Sequence, residues 1–136
     1  MTLLEQIQRD EGCRLTVYLD SRGVPTIGWG RNLRDKGISQ KEADAMLKSD
    51  LADVTKAVTA RWPWMKALDD TRRAVFLNMA YNLGVQGLGG FVHALAAAER
   101  GDYPIAAGEL LNSIWAGQVG ERAKRLARQL ETGAWT

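Results

Sequence analysis

The first residues of the chain show the spacing of an amphipathic helix. Leu4, Ile7 and Glu11 lie three and four residues apart, which predicts a short helix over 2–11 with its apolar stripe facing inward. Glu11 falls on this stripe and in the last turn, at the negative end of the helix dipole. Burial and the dipole would both favour the protonated form of the Glu11 carboxyl group.

A β-hairpin is predicted directly after this helix. Residues 15–19 alternate apolar with polar side chains, as a half-buried strand does. Residues 20–23, Asp-Ser-Arg-Gly, are typical of a tight turn. Residues 24–30 then predict a returning strand, and Pro25 favours an edge position because it cannot donate to a sheet ladder.

The rest of the chain predicts helices. Ser39 and Glu42 have the spacing of a capping box, and they open a long helix to about residue 60. Its apolar positions form a one-sided stripe: Leu47, Leu51, Val54 and Val58. Pro63, between two tryptophans that we interpret as packing at the end of a helical core, ends this helix. The later predicted segments are a central core helix 70–83, apolar on all sides; a flexible glycine-rich connection 84–90; helices 91–100 and 103–112; a loop 117–120; and a basic helical segment 122–128.

Composition limits the function classes. The chain has 136 residues, 46% hydrophobic and 25% charged, which is typical of one soluble globular domain. A net charge of +2 gives no argument for a nucleic-acid partner. The single cysteine, Cys13, permits no internal disulfide, and with one histidine far away it argues against a metal site. No apolar run approaches the roughly 20 residues of a membrane span, and the first ten residues do not match a secretory signal.

Three polar residues of the helix and hairpin are the candidate catalytic groups. A hairpin folded back on the helix can bring Asp20 and Thr26 to face Glu11 across a groove. Glycoside hydrolysis needs one protonated and one ionised carboxyl group, and Asp20 in its polar turn should remain ionised. The alternative is that Glu11 is an ordinary helix-end acid and Asp20 an ordinary turn acid.

The same stretch resembles the catalytic signature of the bacteriophage lysozymes, glycoside hydrolase family 24. The matching motifs are Glu11-Gly12, Arg14-Leu15, Tyr18-Leu19-Asp20, Gly23 and Thr26-Ile27-Gly28-Trp29-Gly30. The resemblance implies that Glu11 is the general acid and that Asp20 and Thr26 hold and activate the attacking water. The chain departs from the family at Arg31-Asn32, where the family usually has His and an apolar residue. The segment between the hairpin and the long helix is also shorter here.

The resemblance implies an α+β, mostly α, lysozyme-like fold with two lobes in one domain, 1–136. The small β lobe would span about 12–37 and the connecting helix about 39–60. The helical lobe would comprise about 61–136 together with the N-terminal helix 2–11.

The resemblance also implies functional roles for residues outside the hairpin. Asn78, Tyr81 and Asn82 would face the saccharide, although Asn78 could instead be a hydrogen-bonded core residue. Arg122 would reach Glu11, and a cation there would oppose the protonated form. The basic segment Arg122–Arg128 could make weak contact with an anionic envelope, or it could be a solvated helix face.

The implied activity is hydrolysis of the β-1,4 bond between N-acetylmuramic acid and N-acetylglucosamine, by a monomer without metal or cofactor. The substrate would be peptidoglycan glycan strands, and the protein would stay in the host cytoplasm until a holin released it to the wall. Two alternatives stay open. One alternative is a lytic transglycosylase, whose reaction needs only one acid/base group. The additional residues Asp20 and Thr26 argue against this alternative. A non-catalytic peptidoglycan-binding or virion structural protein would not require the catalytic set.

Overall fold

The computed structural model describes residues 1–136 and is mostly helical with one small antiparallel sheet, which confirms the predicted α+β class. The elements in chain order are α1 (Leu3–Glu11), β1 (Arg14–Leu19), β2 (Pro25–Gly28), β3 (Arg31–Asn32), α2 (Gln40–Arg61), a 3-10 turn (Pro63–Ala67), α3 (Asp70–Gly89), α4 (Val92–Glu99), α5 (Tyr103–Leu111), α6 (Ile114–Val119) and α7 (Glu121–Thr132). None of the helices is both long enough and apolar enough to cross a bilayer. The chain divides into two compact units, Met1–Met46 and Leu47–Thr136.

The first unit, here called the hairpin unit (Met1–Met46), carries the sheet in the order β1-β2-β3. Tyr18 is the partner of Thr26 across β1 and β2, and Thr26 is in turn the partner of Asn32 across β2 and β3. The short strand β3 had not been predicted. The prediction of an inward stripe on α1 is wrong, because this helix has no buried residue. Its stability is local: the Thr2 hydroxyl and the Glu5 carboxylate cap each other's backbone amides.

Helix α2 begins as its sequence predicts. The Ser39 hydroxyl accepts from the Glu42 amide at 3.1 Å, and the Glu42 carboxylate accepts from the Ser39 amide at 2.9 Å. The predicted apolar stripe is buried only at its end, where Val58 is fully enclosed. Leu47 and Leu51 remain 44% and 39% exposed, so the first half of the stripe does not form part of a core.

The second unit, here called the helical unit (Leu47–Thr136), holds the hydrophobic core. Helices α3, α4, α5 and α7 enclose it, and its largest fully buried side chains are Phe76, Met65, Met79, Leu88, Leu110 and Leu130. Trp62 and Trp64 pack against this core, as predicted, and the Trp64 ring meets the Phe76 ring edge-on at 6.2 Å. Trp115 also belongs to the core, with 4% of its surface exposed.

Three predictions about the helical unit were wrong. The glycine-rich segment 84–90 is not a flexible connection: α3 kinks at Gly84, where φ is 78°, and continues to Gly89 with Leu88 fully buried. Residues 117–120 are not a loop, because α6 runs to Val119. Helix α3 is not enclosed on all sides, since Asn78, Tyr81 and Asn82 are exposed on one face.

Candidate active site

Glu11 is the last residue of α1, and its side chain lies against the turn between β2 and β3. A Cβ atom built on Gly30 would meet the Glu11 Oε2 atom at 2.8 Å, so any other residue at this position would displace the carboxylate. Gly30 also has φ of +81°, a conformation that other residues rarely adopt. The close approach of the Glu11 carboxylate therefore explains why the sequence motif has a glycine at position 30. Glu11 is exposed, so the partial burial predicted from the sequence is wrong.

Asp20 lies in the turn between β1 and β2, as predicted. Its Oδ1 atom accepts from the backbone amide of Val24 at 2.9 Å and from that of Arg22 at 2.8 Å. These two hydrogen bonds, Val24 first, hold the pKa of Asp20 below its ordinary value, and the charges of Arg22 and Arg34 act in the same direction. Asp20 is therefore ionised at neutral pH and fixed through one oxygen. Its Oδ2 atom accepts no hydrogen bond within the protein.

Thr26 is buried in the middle of the sheet, with 4% of its surface exposed. Its hydroxyl donates to the Val24 carbonyl at 2.8 Å. The hydroxyl proton is therefore engaged, and the oxygen is left as an acceptor. Val24 thus fixes both candidate residues, since its amide donates to Asp20 and its carbonyl accepts from Thr26.

In the helical unit, the predicted saccharide residues form the exposed face of α3. Tyr81 is 45% exposed, and Asn78 is exposed rather than a core residue. The Asn78 side-chain oxygen accepts from Arg122 on α7, from Nε at 3.0 Å and from Nη2 at 2.7 Å. The amide of Asn78 is thereby oriented with its nitrogen free to donate. The ion pair of Arg122 with Glu11 stays a prediction.

Asn82 has a partner that the sequence did not indicate. Its side-chain oxygen accepts from the indole Nε1 of Trp115 at 2.9 Å. Trp115 also meets the Phe91 ring edge-on at 5.9 Å, and both rings line a cavity of about 370 Å³ together with His93 and Glu109. The lining of this cavity comes from α4, α5, α6 and the residues that connect them, so no short sequence motif predicts it.

Arg31, where the sequence departs from the family pattern, forms an ion pair. Arg31 on β3 contacts the Glu42 carboxylate in the first turn of α2 at 2.6 Å. The guanidinium lowers the pKa of Glu42 to about 2, and hydrogen bonds from Ser39 contribute. Arg31 therefore ties the hairpin to α2. The sequence could not show this pair, because the two residues are eleven positions apart and in different elements.

No three metal-ligating side chains of the His, Cys, Asp or Glu types come together anywhere in the chain. The hairpin unit carries two carboxyl groups in different surroundings, Glu11 against Gly30 and Asp20 in its turn, and the hydroxyl oxygen of Thr26 as an acceptor. This set is the equipment of a glycoside hydrolase that works by acid–base chemistry.

The comparisons agree with this class. The model of the family described as phage lysozyme matches residues 8–131. The chain is 30% identical over 161 positions to the pre-baseplate central spike protein Gp5 of Enterobacteria phage T4, covering 98% of this chain and 28% of that protein. It is 27% identical to the probable T4-type lysozyme 1 of Dictyostelium discoideum, covering 97% of this chain and 95% of that protein. It is 30% identical to the endolysin of Salmonella phage P22, covering 64% of each.

The chain belongs to the phage lysozyme family, since the family model matches most of its length. The alignment with Gp5 runs over 161 positions, more than the 136 residues of this chain, so that relative contains segments absent here. The chain spans less than a third of the length of Gp5.

Proposed function

We propose that this lysozyme hydrolyses the β-1,4 bond between N-acetylmuramic acid and N-acetylglucosamine in peptidoglycan. The observation that carries the proposal is the arrangement in the hairpin unit. Glu11 is seated against Gly30, and Asp20 is held ionised by two backbone amides of its own turn. A second observation, the match to the phage lysozyme family, gives the substrate class.

The proposed chemistry needs only the side chains and a water molecule. The Glu11 carboxyl group gives its proton to the glycosidic oxygen as the bond to the anomeric carbon breaks. Water attacks that carbon, and Asp20 accepts the proton that the water loses. The Thr26 oxygen, whose own proton is donated to Val24, accepts a hydrogen bond from the same water. Asp20 is suited to the role of base because one of its oxygens is free of protein hydrogen bonds.

The helical unit would supply contacts to the sugar chain. Asn78 is oriented by Arg122, and its amide nitrogen can donate to a saccharide oxygen. Tyr81 adds an exposed aromatic ring on the same helix face. Asn82 is part of this face, but its oxygen is already bound to Trp115, so its first role is to position that indole.

The setting is proposed from the likeness to the family and not from the geometry. The protein would act as a monomer, stay in the host cytoplasm and reach the wall through a holin. Contact with an anionic envelope would use the segment Arg122–Arg128. The exposure of Lys124, Arg125 and Arg128 supports this contact, as does the Trp135 ring beside them at a cavity of about 530 Å³.

One observation favours a second role. The likeness to a virion spike protein extends over 98% of this chain, so a lysozyme module carried by a phage particle is the alternative to a free lysis enzyme. A non-catalytic virion protein would bind the wall without releasing fragments. A lytic transglycosylase would release fragments with 1,6-anhydro ends instead of hydrated ends.

Mass spectrometry of the fragments released from purified peptidoglycan tests the proposal. Hydrated fragments with reducing muramic acid ends are expected. Glu11→Gln should reduce their release by about 10²–10⁴-fold while the protein remains folded, because general acid help is worth about that factor. Anhydro ends, or an active Glu11→Gln protein, would contradict the assignment. Fragment-free binding to the wall would support the structural role.

A further inference from the structure

The turn that carries Asp20 is held mostly by its own residues. The Asp20 amide donates to the Val24 carbonyl at 3.0 Å, and the Gly23 amide donates to the Asp20 carbonyl at 2.9 Å. The Asp20 carboxylate accepts from the amides of Arg22 and Val24. All of these hydrogen bonds lie within residues 20–24. They give the turn its shape, but they do not tie it to any other part of the hairpin unit.

Arg34 supplies a contact from outside this turn. Its Nη2 atom donates to the Gly23 carbonyl at 3.3 Å, across eleven positions of sequence. Residues 20–23 receive no other hydrogen bond from beyond Val24. Arg34 follows β3, which is the edge of the sheet opposite to β1. Its guanidinium group therefore ties the turn to the segment that leaves the far edge of the sheet.

Arg34 is free for this contact because its acidic neighbour is engaged elsewhere. The Asp35 carboxylate accepts from the side-chain amide of Asn32 at 3.0 Å, and the Asp35 backbone amide donates to the Asn32 side-chain oxygen at 2.9 Å. The Lys36 amide donates to the Asn32 carbonyl at 3.2 Å and closes the same turn. Arg34 forms no ion pair with a carboxylate. The turn that begins at Asn32 thus presents Arg34 with its whole charge.

The charge of Arg34 also acts on Asp20. Hydrogen bonds from the amides of Val24 and Arg22 are the first reason that the pKa of Asp20 lies below its ordinary value. The charges of Arg22 and Arg34 act in the same direction. The Arg22 charge belongs to the turn itself, whereas the Arg34 charge comes from another segment. The contact with Gly23 therefore sets how close this second cation lies to the candidate base.

We propose that Arg34 is a positioning residue for Asp20. It holds the turn that carries the candidate base, and it keeps a cation beside the Asp20 carboxylate. Arg34 acts through the Gly23 carbonyl and does not touch the reacting atoms. This inference rests on the proposed role of Asp20 as the base, but its effect on Asp20 is measurable without substrate.

The test follows the carboxyl carbon of Asp20 by ¹³C NMR during a pH titration of the full chain. Arg34→Gln should move the titration midpoint of Asp20 upward, because the ionised form loses a nearby cation. It should also speed the hydrogen exchange of the Val24 amide roughly two- to fivefold, the factor that corresponds to one exposed contact of a cation. Lys36→Gln is the matched control. It removes the same charge from an exposed side chain of the same segment that does not act on Asp20, so both readouts should stay unchanged.

The pH profile of fragment release gives a second readout. Arg34→Gln should move the acid limb of kcat/KM upward and lower kcat roughly two- to fivefold, with KM unchanged because Arg34 does not touch the sugar. Arg34→Lys should return the acid limb to its wild-type position, since the ammonium group keeps the charge. An Arg34 with a merely structural role would change stability without moving the acid limb.

An Asp20 midpoint that is the same in Arg34→Gln, Lys36→Gln and the wild type would overturn the proposal. In the wild type, the Nε signal of Arg34 should change at the Asp20 midpoint, which checks the contact even where a variant does not fold; an Nε signal that stays constant there would also overturn it. If the midpoint moves but the wild type releases no fragments, the proposed hydrolysis fails and the positioning of Asp20 stands. If fragments are released and the midpoint does not move, the hydrolysis stands and this inference fails.

Discussion

Replacing Gly30 by alanine tests whether the position of the Glu11 carboxylate depends on the hairpin turn. The new Cβ atom would be 2.8 Å from Glu11 Oε2 and 3.4 Å from its Cδ. The oxygen must move outward by several tenths of an ångström to reach ordinary contact. The end of a glutamate side chain is flexible, so this displacement itself costs little stability. The backbone costs more, because a non-glycine residue at φ of +81° loses about 1–2 kcal/mol.

The predicted effect on activity is larger than the effect on stability. Misplacement of a catalytic group by about 1 Å can reduce a rate about 10²-fold, and a shift of several tenths of an ångström should reduce kcat by roughly tenfold or more. Gly28→Ala is the matched control. Gly28 is in the same hairpin with φ of +66°, but nothing lies within 4 Å of its added Cβ.

Two measurements separate strain from displacement. Thermal unfolding should show similar losses of stability for Gly30→Ala, Gly28→Ala and a third variant, Gly101→Ala, whose φ is also +81° with open space around it. The release of reducing ends from peptidoglycan should fall strongly only for Gly30→Ala. Equal activity of Gly30→Ala and Gly28→Ala would refute the reasoning, since the carboxylate would then tolerate displacement.

Three further predictions follow from named contacts. Glu42→Gln should lower the free energy of unfolding at neutral pH but not at pH 2. The pKa of Glu42 is about 2 in the folded protein, so the stabilisation by its carboxylate is complete above about pH 4.5 and is lost as the pH falls towards 2. Chemical unfolding across this range measures it, and an unchanged difference at pH 2 would contradict the ion pair. Asn82→Ala should lower the free energy of unfolding by about 1–3 kcal/mol, because the indole N–H of Trp115 loses its hydrogen-bond acceptor. Urea unfolding measures this loss, and a value near zero would mean that water replaces the Asn82 oxygen. The acid limb of the kcat/KM profile should lie below the ordinary aspartate value of about 3.9, because backbone hydrogen bonds lower the pKa of Asp20; a limb above that value would remove Asp20 as the base.

Local chemistry made most of the fold predictable. The capping box at Ser39 and Glu42 and the turn at Asp20 depend on neighbouring residues, and the structure has both. The segment 84–90 was mistaken for a loop because glycine has a low helix propensity. Burial of Leu88 in the core outweighs that propensity, and Gly84 absorbs the kink. Tertiary packing of this kind is not visible in the residues themselves.

The candidate site was predictable where its parts are close in sequence. Asp20 and Thr26 share one hairpin, and their common partner Val24 lies between them. The partners of Asn82 and Arg31 come from other elements and leave no local pattern. The exposure of Glu11 could not be predicted from the sequence either, because an apolar stripe on a helix shows which face can be buried and not which element covers it.

The alternation of β2 limits how this hairpin can evolve. Thr26 and Ile27 project from opposite faces of the same strand: Thr26 is buried, and Ile27 lines a cavity of about 800 Å³ together with the first turns of α2. Substitutions on the cavity face can change one surface without touching the other. Insertion or deletion of one residue in the turn at 20–23 would exchange the two faces along the whole strand. This stretch should therefore tolerate drift in composition while its length stays fixed across descendants.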